Sequence, residues 1–242
     1  MAGVLEPSVL VVAGLAIMTG AIVQGTVGFG TGLFAAPVLA IADPRLVPGT
    51  LLLIILVLPM LFATREIRGA DWRGLRWSLA GRLPGAALGA FAVTALSARA
   101  LAIGVAIVVL AAVALSLSVW SPRISPPALF TAGVISGVTG TATSIGGPPI
   151  ALLYQHASGP RIRATLSVYF VVGGIISAVA LFLAGGIGAF ELHAAALLLP
   201  FMLGGFLVSG PLRRYLDRGW TRPAVLGLSA SAAVALLLRS VL

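Results

Sequence analysis

The sequence predicts an all-α membrane protein with about eight transmembrane segments arranged in two inverted repeats. Apolar residues make up 60% of the 242 residues and charged residues only 9%, and the mean hydropathy is +1.14. A soluble protein needs more polar side chains than this to cover its surface, so lipid is the expected solvent. A glycine-rich motif that occurs twice, together with arginines that change sides between equivalent loops, predicts the two repeats.

Hydrophobic segments follow one another with only short polar connections between them. A helix that spans a bilayer needs roughly 20 apolar residues, and most of the segments have about that length. The first and fifth segments are longer and contain the glycine-rich motif, so we expect them to be re-entrant or broken. The segments cover residues 8–42, 46–64, 75–96, 99–119, 128–154, 163–184, 191–210 and 223–241.

The glycine-rich motif has one copy in each half of the chain. The first copy covers residues 24–32 and continues to Pro37, and the second covers residues 136–144 and continues to Pro149. Interruptions of hydrophobic segments at corresponding positions of two halves indicate a transporter binding site. We therefore assign residues 1–120 to a first repeat and 121–242 to a second, within one integral membrane domain. Without a gap, the copies match at Gly25 and Gly137, Gly28 and Gly140, Thr31 and Thr143, and Pro37 and Pro149.

The arginines predict that the two halves have opposite orientations. Four arginines precede the third segment and none precedes the seventh, whereas one precedes the fourth and four precede the eighth. If the first and fifth segments each enter and leave on one side, Arg45, Arg99 and Arg239 lie on one side and eleven arginines on the other. The positive-inside rule then places the eleven in the cytoplasm and both termini outside. If every segment crosses once, the split is six against eight and gives no orientation.

Each motif copy has the chemistry of an anion site. A glycine-rich break followed by a new helix presents main-chain N–H groups and the positive end of a helix dipole. We expect new helices near Thr31 and at Gly146, and a single polar pocket where the two breaks meet. Close packing of helices through small residues is the alternative interpretation. The candidate substrate-binding residues are Gln24, Gly25, Thr26, Gly28, Gly30, Thr31, Gly32, Thr139, Gly140, Thr141, Thr143, Ser144, Gly146, Gly147 and Pro148.

Two further residues are candidates for gating or for attracting the anion. Arg82 is the one basic residue inside a hydrophobic segment. Its side chain either reaches the surface or a helix end, or attracts anions at the mouth of the pocket. Its counterpart in the second half is Leu198, so such a role would be asymmetric. Tyr154, at the end of the fifth segment, is the other candidate.

Composition argues against several other functions. The central parts of the hydrophobic segments contain no Asp, Glu or Lys, which argues against a carboxylate proton relay and a multivalent cation site. The chain has no cysteine, and no metal or cofactor is expected. The net charge of +9 comes from arginines between the segments, so nucleic-acid binding is not expected. His156 and His193 are predicted far from Ser144, so a Ser–His dyad, and hence an enzyme, is not expected.

The duplicated motif, with its prolines and the Arg163-Ala164-Thr165 sequence that follows the second copy, resembles the sulfite exporter TauE/SafE family of membrane anion permeases. The resemblance covers nearly the whole chain. It implies a multi-pass inner-membrane protein with two related halves, linked to movement of sulfite, sulfonates and other sulfur-containing or organic anions.

We therefore predict a secondary transporter of small anions, with sulfite or organosulfonates as leading substrates and alternating access as the mechanism. Export is the expected direction, because outward movement of a negative charge gains about 2.3 kcal/mol per 100 mV. The expected partners are the anion and the lipid bilayer, and the sequence does not distinguish a monomer from a homodimer. The alternatives are an anion channel with the same pocket as its filter, and a membrane scaffold that transports nothing.

Overall fold

A computed structural model describes residues 5–27, 30–117, 122–216 and 221–241; within these ranges it describes the backbone but not the side chains of residues 25–27, 62–66, 211–216 and 221–224. This part of the chain is helical and contains no strand. The helices are α1 (Pro7–Val27), α2 (Thr31–Ala42), α3 (Gly49–Ile55), α4 (Val57–Glu66), α5 (Trp72–Ala95), α6 (Ala98–Leu117), α7 (Pro126–Thr143), α8 (Gly147–Tyr154), α9 (Gly159–Leu183), α10 (Ala189–Leu216) and α11 (Thr221–Val241).

Helix length and surface composition are those of a membrane protein. Four stretches among the described residues are long and apolar enough to cross a bilayer: Pro7–Gln24, Ala98–Leu117, Gly159–Leu183 and Ala189–Gly210. Large apolar side chains remain exposed on the outer faces of the helices, as Leu83, Leu88 and Phe91 do on α5. In water such surfaces would be unfavourable, whereas lipid solvates them.

Both motif copies interrupt a helix, as the sequence predicted. Between α1 and α2 the backbone at Gly30 has φ 130°, a conformation that residues with a side chain rarely adopt. Between α7 and α8 the backbone at Ser144 is left-handed, with φ 62° and ψ 17°. The new helices begin at Thr31 and Gly147, close to the predicted starts.

The segment formed by α1 and α2 turns back on itself. Gly20 of α1 lies against the first residue of α2, because the Thr31 hydroxyl donates to the Gly20 carbonyl at 3.0 Å. Further along α2, Val38 and Ile41 line a surface groove together with Val9 at the start of α1. The start of α1 and the end of α2 therefore lie at the same end of the helix bundle.

The segment formed by α7 and α8 also turns back. Gly146, just before α8, lies beside Ser136 in the middle of α7, whose hydroxyl donates to the Gly146 carbonyl. At the other end of α8, the Tyr154 hydroxyl donates to Asp71, at the start of α5. Helices α5 and α7 run parallel, because Gly81 and Gly89 of α5 lie against the carbonyl groups of Phe130 and Val138 of α7. Both ends of this segment therefore lie at the end of the bundle that carries Asp71.

Glycines allow the closest helix contacts, which join early and late parts of the chain. Gly81, Gly85 and Gly89 of α5 lie against the carbonyl groups of Phe130, Val134 and Val138 of α7, so these helices run parallel. Helices α1 and α10 also run parallel, with Gly14 beside Phe201 and Gly205 beside the Met18 carbonyl. Helix α6 packs against α11, and α4 against α9.

The second hydrophobic segment, residues 46–64, was predicted to be one continuous span, but it forms two short helices. Helix α3 ends at Ile55, a turn follows at Leu56, and α4 begins at Val57. Pro59 supplies the physical reason. It has no N–H to donate to the carbonyl of Ile55, and its ring clashes with that carbonyl in a regular helix.

Arginine side chains tie the ends of several helices together at one end of the bundle, here named the Arg99 end. The Arg99 guanidinium donates to the carbonyl groups of Ser240 and Val241 at 2.5 and 2.6 Å, and Arg239 donates to the Ile41 carbonyl at 2.6 Å. The opposite end, here named the Asp71 end, carries the connections before α5, α7 and α9. Its arginines among the described side chains are Arg68, Arg73, Arg76, Arg123, Arg161 and Arg163.

Candidate functional site

A cavity of about 80 Å³ lies where the two helix breaks meet. The breaks touch each other, because a Cβ added to Gly32 would lie 2.5 Å from the Ser144 carbonyl oxygen. Helices α3, α4, α5 and α9 complete the wall. The predicted residues that line the cavity are Gln24, Gly30, Gly32, Gly140, Ser144, Gly146, Gly147, Pro148 and Arg82, and its apolar wall is formed by Leu33, Leu52, Ile55, Leu56, Pro59, Ile145 and Phe170.

Among the described residues in the wall of this cavity, Arg82 is the charged one. It lies ten residues into α5, about 15 Å along the helix axis, and only 2% of its surface is exposed. Two hydroxyl groups hold its guanidinium: one terminal nitrogen donates to Ser136 at 2.9 Å and the other to Ser177 at 3.1 Å. The ring of Tyr169 lies beneath it, with the central carbon 5.0 Å from the ring centre. Arg82 therefore points inward, and the surface-reaching alternative does not apply.

The positive charge of Arg82 has no carboxylate partner among the described side chains. The acidic side chains in that set belong to Glu6, Asp43, Asp71 and Glu191, and the ion pairs there join Asp43 to Arg45 and Asp71 to Arg161. Burial of an unpaired charge is strongly unfavourable, and proteins normally pair or neutralise such a group. The Nε atom of Arg82 also has no acceptor in the described part of the chain. The site therefore has the charge and the donor groups to bind an anion.

Two glycines make room for the guanidinium. A Cβ added to Gly140 of α7 would lie 3.0 Å from a terminal nitrogen of Arg82, and one added to Gly173 of α9 would overlap its Nε. Gly173 and Ser177 are one helical turn apart, so they face Arg82 together. The sequence motif includes Ser136 and Gly140, whereas Gly173, Ser177 and Tyr169 lie in a hydrophobic segment with no local signal.

The predicted threonine hydroxyls among the described side chains make hydrogen bonds inside the protein and do not line the cavity. Thr31 donates to Gly20, Thr139 to Ile135 and Thr143 to Thr139, each through a main-chain carbonyl. Thr141 donates to the Ser177 hydroxyl at 2.8 Å, so it supports one of the groups that hold Arg82. Thr31 and Thr143 therefore stabilise the backbone at the two helix breaks, and Thr141 helps to fix the position of the Arg82 guanidinium.

The helix starts offer fewer free N–H groups than the sequence suggested. In α2, the first N–H, that of Thr31, donates to the side-chain oxygen of Gln24 at 3.3 Å. In α8, Pro148 and Pro149 follow Gly147 and have no N–H. The Ser144 hydroxyl donates to the Pro48 carbonyl at 3.0 Å. Of the other predicted residues, Gly28 and the side chain of Thr26 lie outside the described part, and Gly25 is described only as part of α1.

Tyr154 belongs to a second polar cluster, at the Asp71 end, which ties three helices together. One Asp71 carboxylate oxygen accepts from the Tyr154 hydroxyl at 3.1 Å and from Arg161 at 2.9 Å, and the other accepts from the Gly74 N–H at 3.1 Å. The Asp71 N–H donates to the Thr165 hydroxyl at 2.9 Å. One carboxylate thus holds the end of α8 and the starts of α5 and α9 together.

The ionisation of Asp71 gives this cluster a pH dependence. Partial burial raises the pKa of the carboxyl, but the hydrogen bonds from Gly74, Arg161 and Tyr154 and the charge of Arg161 outweigh it, so the pKa is lowered. The stability it confers is present above the unfolded pKa of about 3.9 and is lost as the pH falls through the lower folded value.

Asp71→Asn is expected to destabilise the purified protein at pH 7 by about 1–2 kcal/mol, since it weakens a charged hydrogen-bond cluster. Thermal unfolding in detergent between pH 7 and pH 3 measures the effect, with Glu6→Gln, at an exposed carboxylate, as control. The gap between wild type and Asp71→Asn should begin to narrow as the pH falls below about 4. A gap of constant size down to pH 3 would contradict this role of the carboxylate.

Gly173→Ala is expected to weaken anion binding by about tenfold, because the added methyl group displaces the guanidinium of Arg82 from its hydroxyl partners. Gly104→Ala is the matched control, since nothing lies within 4 Å of a Cβ at that position. Binding of sulfite to the purified variants, measured by calorimetry, tests the effect. Equal affinities for the two variants would show that the position of the guanidinium does not matter.

Comparison with known families assigns the chain to a transporter family. The family described as Sulfite exporter TauE/SafE matches residues 12–236, a range that includes both helix breaks and Arg82. No curated protein and no solved structure matches the chain. The match confirms the resemblance found in the two motif copies, and it indicates transport of anions across a membrane. The chain belongs to the sulfite exporter TauE/SafE family.

Proposed function

We propose that this protein is a secondary transporter that carries a small anion, sulfite or an organosulfonate, out of the cell across the inner membrane. The observation that carries the proposal is the buried guanidinium of Arg82, which lines a cavity between two helix breaks and has no described carboxylate partner. Since the unpaired charge is unfavourable in an empty site, binding of an anion stabilises it. The proposed binding residues are Arg82 and the cavity-lining residues of the two motif copies; Gly25, Thr26 and Gly28 stay predictions.

We infer that residues 1–120 and 121–242 are two inverted repeats of one domain. Reciprocal packing supports the inference. Helix α1, the first of the amino-terminal part, packs against α10, and α7, the first of the carboxy-terminal part, packs against α5. Helices α5 and α10 are themselves equivalent in the two parts. The fourth hydrophobic segment of each half forms α6 and α11. These two helices pack against each other, as helices related by a two-fold axis would.

The proposed orientation places the Asp71 end in the cytoplasm. The α1–α2 segment and the α7–α8 segment are two helical hairpins: the first begins and ends at the Arg99 end, and the second begins and ends at the Asp71 end. Neither hairpin crosses the membrane, so the eleven-against-three distribution of arginines applies, and the positive-inside rule gives the direction. Both termini are then outside.

Single cysteines test this orientation directly, since the chain contains none. We expect an impermeant thiol reagent, added outside intact cells, to label Ser97→Cys, at the Arg99 end, and not Ser158→Cys, at the Asp71 end. Both positions are exposed, so accessibility is matched. Labelling of Ser158→Cys alone would reverse the orientation, and labelling of both would exclude the hairpin arrangement.

Alternating access requires contacts that close each end in turn. At the Asp71 end, the cluster of Asp71, Tyr154 and Arg161 joins α8 to α5 and α9. At the Arg99 end, Arg45 pairs with Asp43 at 2.7 Å and lies 4.6 Å above the ring of Phe190, which joins the end of α2 to α10. We infer that these two clusters are the contacts that break and re-form as the hairpins move relative to their partner helices.

The transporter is tested in proteoliposomes that contain the purified protein. Uptake of labelled sulfite should saturate and should be stimulated by unlabelled sulfite on the opposite side. An anion channel would instead give ohmic single-channel currents and no counter-transport. A membrane scaffold would give neither flux nor binding of sulfite, thiosulfate, sulfate, taurine or sulfoacetate.

A further inference from the structure

We propose that the cavity selects an anion that carries a single negative charge. The inference rests on the proposed function, because it concerns the charge of the substrate that the same cavity holds. It follows from the charges that face the cavity.

Arg82 supplies one full positive charge, and the other polar side chains described around the guanidinium and in the cavity wall are neutral. Ser136 and Ser177 accept hydrogen bonds from the guanidinium, Tyr169 offers the face of its ring, and Gln24 is an amide. With its side-chain oxygen engaged by Thr31, Gln24 can present its amide NH₂ group to an anion, which adds a donor and no net charge.

The helix ends add only a fraction of a charge. A helix N-terminus acts as about half a positive charge because its first N–H groups are free. In α2 the first of these groups, that of Thr31, is already bonded to Gln24. In α8, two of the first three residues are prolines without an N–H. The cavity is therefore matched to one negative charge and not to two.

A dianion would leave a net negative charge in an apolar surrounding. Leu33, Ile55 and Phe170 line the cavity and offer no hydrogen bonds to the second charge. A monoanion on Arg82 leaves the site neutral, which a medium of low dielectric constant strongly favours. The same apolar wall can contact an uncharged part of the substrate.

Anions that share a tetrahedral shape but differ in charge test the proposal. Methanesulfonate carries one charge and sulfate carries two, and binding of each to the purified protein in detergent is measured by calorimetry at fixed ionic strength. Methylphosphonate separates charge from the effect of the methyl group, since it changes from one charge to two as the pH rises through its second ionisation. Methanesulfonate over the same pH range is the control for changes in the protein.

We expect methanesulfonate to bind at least about tenfold more tightly than sulfate, and methylphosphonate to lose affinity as it becomes a dianion. Sulfate that binds as tightly as methanesulfonate, or methylphosphonate that binds more tightly as its charge rises, would overturn the single-charge proposal and leave the anion site in place. If methanesulfonate, sulfate, methylphosphonate and sulfite all fail to bind, the proposed function itself is wrong.

Discussion

Arg82→Gln is expected to weaken anion binding by at least about thirtyfold, because loss of one member of a buried, hydrogen-bonded charge pair costs about 2–5 kcal/mol. Glutamine removes a charge that has no described carboxylate partner in the free protein, and the Ser136 hydroxyl keeps its hydrogen bond to the Gly146 carbonyl. The substrate-free variant should therefore be at least as stable as the wild type. Calorimetry with sulfite and thermal unfolding without ligand measure the two effects.

Two comparisons separate a binding role of Arg82 from a structural one. Arg76→Gln removes an exposed arginine of the same helix and should bind anions as the wild type does. Arg82→Lys keeps the charge but not the planar fork that reaches both Ser136 and Ser177, so an intermediate affinity is expected. If Arg82→Gln lowers the melting temperature of the ligand-free protein and leaves sulfite affinity unchanged, the guanidinium serves packing alone.

Gly85→Val is expected to prevent stable folding. A Cβ at this position would overlap the carbonyl oxygen of Val134 and lie 3.0 Å from the Cα of Gly137, so it meets the backbone of α7 and no flexible side chain that could move away. Overpacking costs typically about 1–3 kcal/mol where neighbours can adjust, and rigid backbone places this contact at or above the upper limit. The expected result is loss of the monodisperse species in size-exclusion chromatography and a large fall in melting temperature.

Ala87→Val supplies the matched control for the glycine contact. Ala87 is an exposed residue on the same helix, so valine there adds the same β-branching in a helix without meeting α7. Its melting temperature should stay close to that of the wild type. Comparable losses in both variants would place the cause in helix propensity instead of in the contact between α5 and α7.

The sequence predicted the positions of the helix breaks because glycine and proline act locally. Gly30 adopts a backbone angle that suits glycine, and Pro148 and Pro149 stand in the first turn of α8, where proline is tolerated. The role of Arg82 could not be decided in the same way. Its partner Ser177 is 95 residues away, and only tertiary structure shows that α9 faces the guanidinium.

The sequence motif does not show which acceptors its threonine hydroxyls use. Their hydroxyl groups are chemically able to bind an anion, but α7 continues to Thr143, so Thr139 and Thr143 bond to the carbonyl one turn earlier, as threonine commonly does within a helix. The break at Leu56 was not predicted either. Pro59 signals it, yet the apolar run around Pro59 is long enough to predict a single span.

Because early helices pack against late ones, some contacts can form only after most of the chain has been synthesised. Helix α1 leaves the ribosome long before α10, the helix against which it packs through Gly14 and Gly205. The first hairpin therefore remains without its principal neighbour until most of the chain has been translated. During that interval the α1 face that carries Gly14 is open to contact with other helices in the membrane, which exposes the unfinished chain to incorrect pairing.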